Sequence, residues 1–428
     1  DCPEMAGGEK KGRRGRLGSI AIGLAITVLV LVVLLAGFMA SPLFERTLRA
    51  QVLPRVSTRV ERRVEFERAR GSLLPLVVRV QGLRVEGIGD YPIVRVDELA
   101  LRVKIWPTLS TLGDTIALSV LRANGVEANL VRMQNGAWDL PTLPEVPPEE
   151  RRTYVVDEAT VDDGFARIHD PSRALRMEIR NIALAGSLSE RAGSLRSFQA
   201  EVANGRVQAV ARALLGSEAP SFTADVEMKR IDLGAIPPLA GTMDGILDMS
   251  TRLSGEGAER QALLASLQGA AEMTLENGRW LDLDFLEELA TELGEFIYLP
   301  KGAAPESEEA LDLGSPIQAA FQLEEGWVTI TEPPQIEAAF GGTEVSGRVS
   351  LDQRLDLALD IGLSPEFLSS LSEGLVEPEE PIPVTLLVRG TTQNPEFELT
   401  NTEALEAENP TFFRRLLRSL RNVLPTAH

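Results

Sequence analysis

Residues 354–363, RLDLALDIGL, carry the pattern that decides the fold class of this chain. Leucine or isoleucine occupies every second position of the segment, and Asp356 and Asp360 stand between them. Successive side chains of a β-strand point to opposite faces of the sheet. The alternation therefore predicts a strand with one aliphatic face and one polar face.

The same period of two recurs elsewhere in the chain. Aliphatic and polar residues alternate over 78–81, 99–105, 317–323 and 345–351. Each of these runs is predicted to be a half-buried strand. The residues on the aliphatic stripes of the predicted strands that we take as candidates for a functional surface are Val78, Val80, Leu99, Leu101, Val103, Ile105, Phe321, Leu323, Val349, Leu355, Leu357, Leu359 and Ile361.

Turn dipeptides punctuate the alternating runs. Asn-Gly and Asp-Gly favour two-residue hairpin turns of type I′, because such turns need positive φ at both central positions. The dipeptides predicted to form hairpins begin at Asn124, Asn135, Asp163, Asn204, Asp244 and Asn277. Helical patterns are few, over 256–267, 283–297 and 365–375. The predicted fold class is α+β, predominantly antiparallel β, with a few short helices.

Composition limits the chemistry that this chain of 428 residues can perform. It has 43 basic and 63 acidic residues, a formal net charge of −20, which makes nucleic acid a poor partner. One cysteine, Cys2, excludes an internal disulfide. Two histidines, His169 and His428, leave little for a histidine-rich metal site or a Ser-His-Asp triad. We expect no catalytic site, no metal site and no cofactor.

An uncharged apolar run, IAIGLAITVLVLVVLLAGFMA, occupies residues 20–40. As a helix it would be about 31 Å long, which matches the hydrocarbon core of a bilayer. The alternative is a cleaved signal peptide, but its apolar region is shorter, and Phe38 stands where a small residue is preferred. Because five bases precede the run, we predict a transmembrane signal anchor with residues 1–19 in the cytoplasm and the body on the opposite side, the periplasm in a bacterium.

The segment after the predicted anchor is basic, as is the segment before it, whereas the chain beyond residue 70 is acidic. Apolar residues and arginines recur at helical spacing over 41–65, with Pro54 as an interruption. This pattern predicts a juxtamembrane helix in the interface, and a solvated linker is the alternative. Residues 66–400 are predicted to form the body, with a possible subdivision near 150, where the segment PTLPEVPPEE indicates an exposed loop.

A second basic amphipathic segment lies near the C-terminus, over 409–424. Asn409 suits a helix N-cap and Pro410 the first helical position. We predict a helix that contacts a membrane or a partner; the alternative is a terminal helix docked on the sheet. The residues assigned to this contact are Phe412, Phe413, Arg414, Arg415, Leu416, Arg418 and Arg421.

The chain resembles the AsmA family of inner-membrane-anchored periplasmic proteins, which are related to TamB and to bridge-like lipid-transfer proteins. The resemblance begins at the anchor and includes GSLLPLVVRVQGLRVEG at 71–87. It is strongest in IDLGAIPPLAGTMDGILDMSTRLSGEG at 231–257 and PIPVTLLVRGTTQNPEF at 381–397. It covers nearly the whole chain, but its motifs are β patterns rather than catalytic signatures.

The resemblance implies an elongated, curved β-sheet whose apolar groove holds phospholipid acyl chains and serves outer-membrane and cell-envelope biogenesis. The aliphatic stripes named above would line this groove. Alternation alone is equally compatible with a closed sandwich core. The alternative function is an interaction scaffold that assists outer-membrane protein assembly without lipid transport. Expected partners are therefore phospholipid, the inner membrane and an envelope protein.

Overall fold

The computed structural model describes residues 37–73, 75–87, 91–111, 114–133, 136–140, 153–171, 175–216, 219–237, 239–281, 293, 311–314, 316–338, 340–372, 378–391 and 394–403. The chain divides into two compact units. The N-terminal unit comprises Asp1–Asn129 and Asp139–Asp163, and the C-terminal unit comprises Leu130–Trp138 and Gly164–His428. The Pro-rich segment at which a subdivision was predicted lies outside the described residues.

The N-terminal unit begins with a helical segment. Helix α1 (Pro42–Thr47) has Ser41 as N-cap, whose hydroxyl accepts from the Leu43 N–H at 3.3 Å. A π-helical turn (Leu48–Val52) and helix α2 (Leu53–Val60) follow. Pro54 has no N–H to continue the α-helical ladder, and the wider turn immediately precedes it. The region 41–65 is thus helical to Val60, and its last two residues belong to a strand.

The strands of the N-terminal unit form an antiparallel sheet beside this helical segment. They are β1 (Val64–Glu65), β2 (Arg68–Leu73), β3 (Leu76–Glu86), β4 (Pro92–Val103) and β5 (Thr115–Val131), with helix α3 (Ile105–Ser110) between the last two. Strand β3 pairs with β1, β2 and β4, and β4 pairs with β5. Strand β6 (Thr153–Asp170) contributes residues to both units.

The prediction for Ile105 is wrong, because this residue begins helix α3 and does not extend the strand that ends at Val103. Pro107 explains the change. A proline without an N–H interrupts a strand ladder but is tolerated in the first turn of a helix.

The C-terminal unit is a long antiparallel meander. Its strands are β7 (Leu175–Leu188), β8 (Ala192–Val202), β9 (Gly205–Leu214), β10 (Ser221–Asp232), β11 (Met243–Glu256), β12 (Gln268–Trp280), β13 (Leu311–Asp312), β14 (Ile317–Glu324), β15 (Trp327–Glu332), β16 (Gln335–Ala338), β17 (Gly341–Ser350), β18 (Arg354–Leu363), β19 (Ile382–Thr391) and β20 (Asn394–Thr400). The short helical elements are a 3₁₀ turn (Leu233–Ala235), helix α4 (Arg260–Ala265) and helix α5 (Pro365–Leu371). The predicted class, mostly antiparallel β with few short helices, is confirmed for the described residues.

The turn dipeptides behave differently from the prediction. Ala203 and Asn204 form a hairpin turn with φ of 46° and 62°, so that Val202 pairs with Gly205. The hairpin prediction is wrong at four other sites, where the dipeptide lies inside a strand. These sites are Asn124-Gly125 in β5, Asp163-Gly164 in β6, Asp244-Gly245 in β11 and Asn277-Gly278 in β12. At Gly245 of β11 and Asn277 of β12 the φ angle is positive and the register between the two strands shifts, so these residues form a bulge instead of turns.

Three predicted helices fall largely or wholly outside the described residues, one of which, 283–297, is described only at Leu293. The apolar run 20–40 is described only from residue 37, and the predicted helix 409–424 is not described. Among the residues that the structure does describe, no helix is both long and apolar enough to cross a bilayer.

Candidate functional site

A row of residues without polar side chains crosses the meander of the C-terminal unit. Each member is the direct cross-strand partner of the next, and residues directly opposite each other lie on the same face of a sheet. The row contains one residue from each of twelve strands: Gly186, Leu195, Ala211, Ala224, Leu253, Gly269, Leu323, Val328, Val349, Leu355, Gly390 and Pro395. Eleven strand spacings of about 4.8 Å make this row about 50 Å long along the sheet.

Two further rows widen this surface across β8, β9, β10, β11, β12 and β14. The first consists of Phe198, Ala209, Val226, Thr251, Ala271 and Phe321. The second consists of Ala200, Val207, Met228, Met249, Met273 and Ala319. We call the surface formed by the three rows the apolar face. Thr251 is its only hydroxyl-bearing residue.

The opposite surface of the same strands is polar. The row next to Val226 consists of Gln199, Gln208, Glu227, Ser250 and Glu272. Arg252 and Asp225 form an ion pair on this surface at 2.6 Å, and the hydrogen bond to Asp225 raises the pKa of Arg252. The charged side chains of these strands therefore lie on one face and the three apolar rows on the other, as expected where each face meets a different environment.

The apolar face is neither sealed nor fully exposed. Of the residues in its two shorter rows, only Ala200 and Ala319 are buried, and the others are half-buried. The inner face of a β-sandwich is closed by a second sheet about 10 Å away, which buries nearly all its side chains. The described residues of the three rows on β8–β12 show no such closure. It begins only at the row beyond the methionines, where Leu275 and Ile317 are buried against Leu233. The sheet over the three rows is therefore open on its apolar side and is not the core of a closed sandwich.

The same face is closed at another place in the C-terminal unit. Helix α5 brings Leu368 onto the end of β18, where Ile361 is 1% exposed and Leu363 is fully buried. Leu386 of β19 is also fully buried in this cluster. We call this cluster the closed core. It excludes Ile361 from an open surface, although the sequence places that residue on the same stripe as its neighbours.

The other predicted residues of the C-terminal unit remain on the open part of the surface or at its border. Phe321, Leu323 and Val349 are half-buried members of the apolar face. Leu355 is a member of the long row and, with Leu357 and Leu359, packs against the margin of the closed core. The structure therefore brings six of the seven predicted residues of this unit onto one partly exposed surface.

The predicted residues of the N-terminal unit form a surface of their own. Val78 pairs with Leu101, and Val80 pairs with Leu99. All four are half-buried, as is Val103. Met39, which precedes helix α1, covers one margin of this surface. A Cβ added at Gly71, the partner of Val78, would come within 2.7 Å of Met39 Cε. The predicted residues at 412–421 lie outside the described residues.

Sequence reasoning missed most of the apolar face between β8 and β12. Small residues such as Ala209, Ala224 and Ala271 weaken the hydropathy contrast there, and bulges break the period. One available signal was the methionine spacing, because Met228, Met249 and Met273 each occupy an aliphatic position of an alternating run. Only the strand register shows that these three residues are direct neighbours.

The potential metal ligands of the described residues do not gather into a site, and the histidine among them has a structural neighbour. No group of three or more histidine, cysteine, aspartate or glutamate residues is placed there to hold a metal ion. His169 is exposed, and its carbonyl oxygen accepts from the Arg132 N–H at 2.8 Å. Asp170, beside it, is buried against the Arg132 guanidinium at 2.9 Å, an arrangement that stabilises structure.

Comparison of the chain with protein-family models, with curated proteins and with solved structures finds no match. The AsmA resemblance therefore remains a prediction from the sequence. The apolar face is the feature of the structure from which a function can be argued.

Proposed function

We propose that this protein is a non-enzymatic, membrane-anchored protein of the AsmA type that holds or conducts glycerophospholipid for envelope biogenesis. In this proposal the body lies in the periplasm, and the apolar face is the wall of a groove for acyl chains. The observation that carries the proposal is the unbroken row from Gly186 to Pro395, which offers an apolar path across twelve strands.

The chemistry of the rows suits acyl chains better than a ligand of fixed shape. Aliphatic side chains and the methionine row provide an apolar wall without directional hydrogen bonds, and methionine adapts to irregular shapes. Burial of each methylene stabilises a bound lipid by about 0.8 kcal/mol relative to water. Relative to a bilayer the same transfer is nearly neutral, so lipid could enter and leave the groove without being trapped.

The proposal is tested by a pair of matched substitutions on neighbouring strands. Val226 lies on the apolar face, whereas Val210 lies on the polar face and is 44% exposed. We expect Val226→Asp to remain folded and to lose most of the phospholipid that co-purifies with the full chain in mild detergent. The reason is that burying a charged carboxylate against acyl chains is unfavourable. Val210→Asp is expected to retain wild-type lipid content.

The measurement is mass spectrometry of extracted lipid per mole of protein, with circular dichroism as the control for folding. Equal lipid content in wild-type protein and Val226→Asp would contradict the groove. So would a lipid-free wild-type chain that co-purifies stoichiometrically with an envelope protein, which is the result expected for an assembly scaffold.

A further inference from the structure

Four arginines lie together on the polar surface of the N-terminal unit, in a protein whose net charge is strongly negative. Arg70 of β2 is the direct partner of Arg79 of β3. Arg79 is opposite Ala100 of β4, which is opposite Arg122 of β5. Arg102 lies two residues beyond Ala100 on the same surface. We call Arg70, Arg79, Arg102 and Arg122 the arginine patch.

The patch is electrostatically unfavourable as it stands. Like charges directly opposite each other on neighbouring strands destabilise a sheet. All four side chains are exposed, and none of their guanidinium groups forms an ion pair with a carboxylate among the described residues. Glu98 is the carboxylate that the register places diagonally next to Arg79. The patch therefore has surplus positive charge directed into solvent, which favours an anionic ligand.

The position of the patch indicates which anion it meets. Gly71 follows Arg70 in β2 and faces the opposite side of the sheet, where it lies under Met39. The helical segment therefore begins at the same end of the strands as the patch, on the other face of the sheet. From there the segment runs back along β2 and β1, where Arg49 donates to the Glu67 carbonyl at 2.6 Å and Ser57 accepts from the Val64 N–H at 3.1 Å. The predicted membrane span ends at Ala40. The patch thus lies at the end of the unit where the chain would leave the bilayer.

An exposed tryptophan lies at the same end of this sheet. The register pairs Arg102 with Val77, close to the β2–β3 connection, and helix α3 follows three residues later. In this helix Trp106 is 80% exposed, and Ile105 beside it is 37% exposed. Tryptophan favours the boundary between headgroups and acyl chains, because its ring is apolar and its N–H is polar.

We infer that this end of the N-terminal unit binds the surface of a bilayer that contains anionic phospholipid. Trp106 and Ile105 enter the interface, and the arginine patch contacts lipid phosphates. The contact orients the unit on the membrane in addition to any anchor. It goes beyond the proposed function, because it requires no lipid on the apolar face of the C-terminal unit.

The test uses the full chain reconstituted in nanodiscs of phosphatidylcholine alone or of phosphatidylcholine with phosphatidylglycerol. The fluorescence of Trp106 is isolated as the difference between wild-type protein and Trp106→Phe. The nanodisc lipids carry bromine on the upper part of the acyl chain, where it quenches the fluorescence of a tryptophan in the interface. We therefore expect strong quenching of Trp106 in the anionic nanodiscs. The fluorescence of Trp327, isolated in the same way with Trp327→Phe, is the internal reference. It is expected to be quenched little, because Arg348 and Arg354 lie over the Trp327 ring.

Charge reversal distinguishes the effect of the arginine patch from the effect of the protein's net charge. The double variant Arg79→Glu/Arg102→Glu is expected to reduce the Trp106 quenching by about tenfold at low salt. Arg196→Glu/Arg212→Glu, two exposed arginines on β8 and β9, changes net charge equally and is expected to have no effect.

Three results would overturn the inference. The first is that Trp106 is not quenched. The second is that its quenching is the same with and without phosphatidylglycerol and in the charge-reversed variant. The third is that an acidic protein, in place of lipid, protects Trp106. Failure of the proposed function is distinguishable, because it would appear as unchanged lipid content in Val226→Asp while Trp106 was still quenched.

Discussion

Two regions of the C-terminal unit present the same aliphatic alternation in two different environments. On β8–β12 the apolar face stays half-buried, although its rows are as regular as those of β18. On β18 and β19 the same kind of stripe enters the closed core, where Ile361, Leu363 and Leu386 have almost no exposed surface. An aliphatic stripe thus specifies a face, and a covering element decides whether that face becomes a core.

The covering element in the closed core is short. Helix α5 is capped by Ser364, whose hydroxyl accepts from the Phe367 N–H at 3.2 Å, and Pro365 begins its first turn. These signals fix where the chain leaves the sheet after β18 and turns back over it. The edge-on contact of Phe367 with Phe340, with ring centroids 6.3 Å apart, joins the helix to the sheet. No described helix has this position over the middle of the apolar face.

The largest difference is expected when a leucine is truncated in each region. Leu386→Ala removes a fully buried side chain from the closed core and is expected to lower the free energy of unfolding by about 3 kcal/mol. Leu323→Ala on the apolar face leaves no sealed cavity and is expected to cost about 1 kcal/mol or less. Urea denaturation of both variants measures the difference, and equal losses would mean that the apolar face is also a closed core.

A smaller effect is expected from adding one methyl group beside the closed core. Gly341 has φ of 136°, and a Cβ there would overlap the carbonyl oxygen of Gly362, whereas a Cβ at Gly342 would meet open space. Gly341→Ala is expected to lower the free energy of unfolding by about 2 kcal/mol, and Gly342→Ala by no more than about 0.5 kcal/mol. Thermal melting compares the adjacent variants. Identical melting temperatures would show that the backbone relaxes at no cost.

These two comparisons also show how far sequence analysis reaches. The alternation correctly predicted strands at 99–103, 317–323 and 354–363, because a period of two reflects local backbone geometry. It placed Ile361 with Leu355 on one stripe, which is also correct. Whether a stripe is open depends on what packs over it, and this depends on contacts between residues that are distant in sequence. Ile361 was therefore assigned to the wrong environment.

The smallest effect is expected at the bulge of β11, which lies at the border of the apolar face beside the buried cluster of Leu233, Leu275 and Ile317. Arg279 donates to the Asp244 carboxylate, and the Gly245 N–H donates to it at 2.8 Å; both hydrogen bonds lower the pKa of Asp244. A lowered pKa in the folded state stabilises the protein above the unfolded value of about 3.9, and this contribution is lost as the pH falls through the folded value.

Asp244→Asn is accordingly expected to be slightly less stable than wild-type protein at pH 7, by less than about 1 kcal/mol, because the ion pair is partly exposed. The gap is expected to narrow below about pH 4, where the unfolded chain takes up the proton, and to close as the pH falls through the lowered pKa of Asp244 in the folded state. Urea midpoints at the two pH values measure it. A gap that persists in acid would assign the effect to the shape of the bulge and not to its charge.

The sequence by itself determined the class of structure, the polar and apolar sides of the strands and the placement of a basic segment after an apolar run, because these depend on neighbouring residues. Only the tertiary structure decided the register. Register joined the methionines of β10, β11 and β12 into one row, turned Asp244-Gly245 into a bulge rather than a hairpin, and set Arg70 opposite Arg79. The physical reason is that strand partners are chosen by the packing of whole faces, which no local pattern contains.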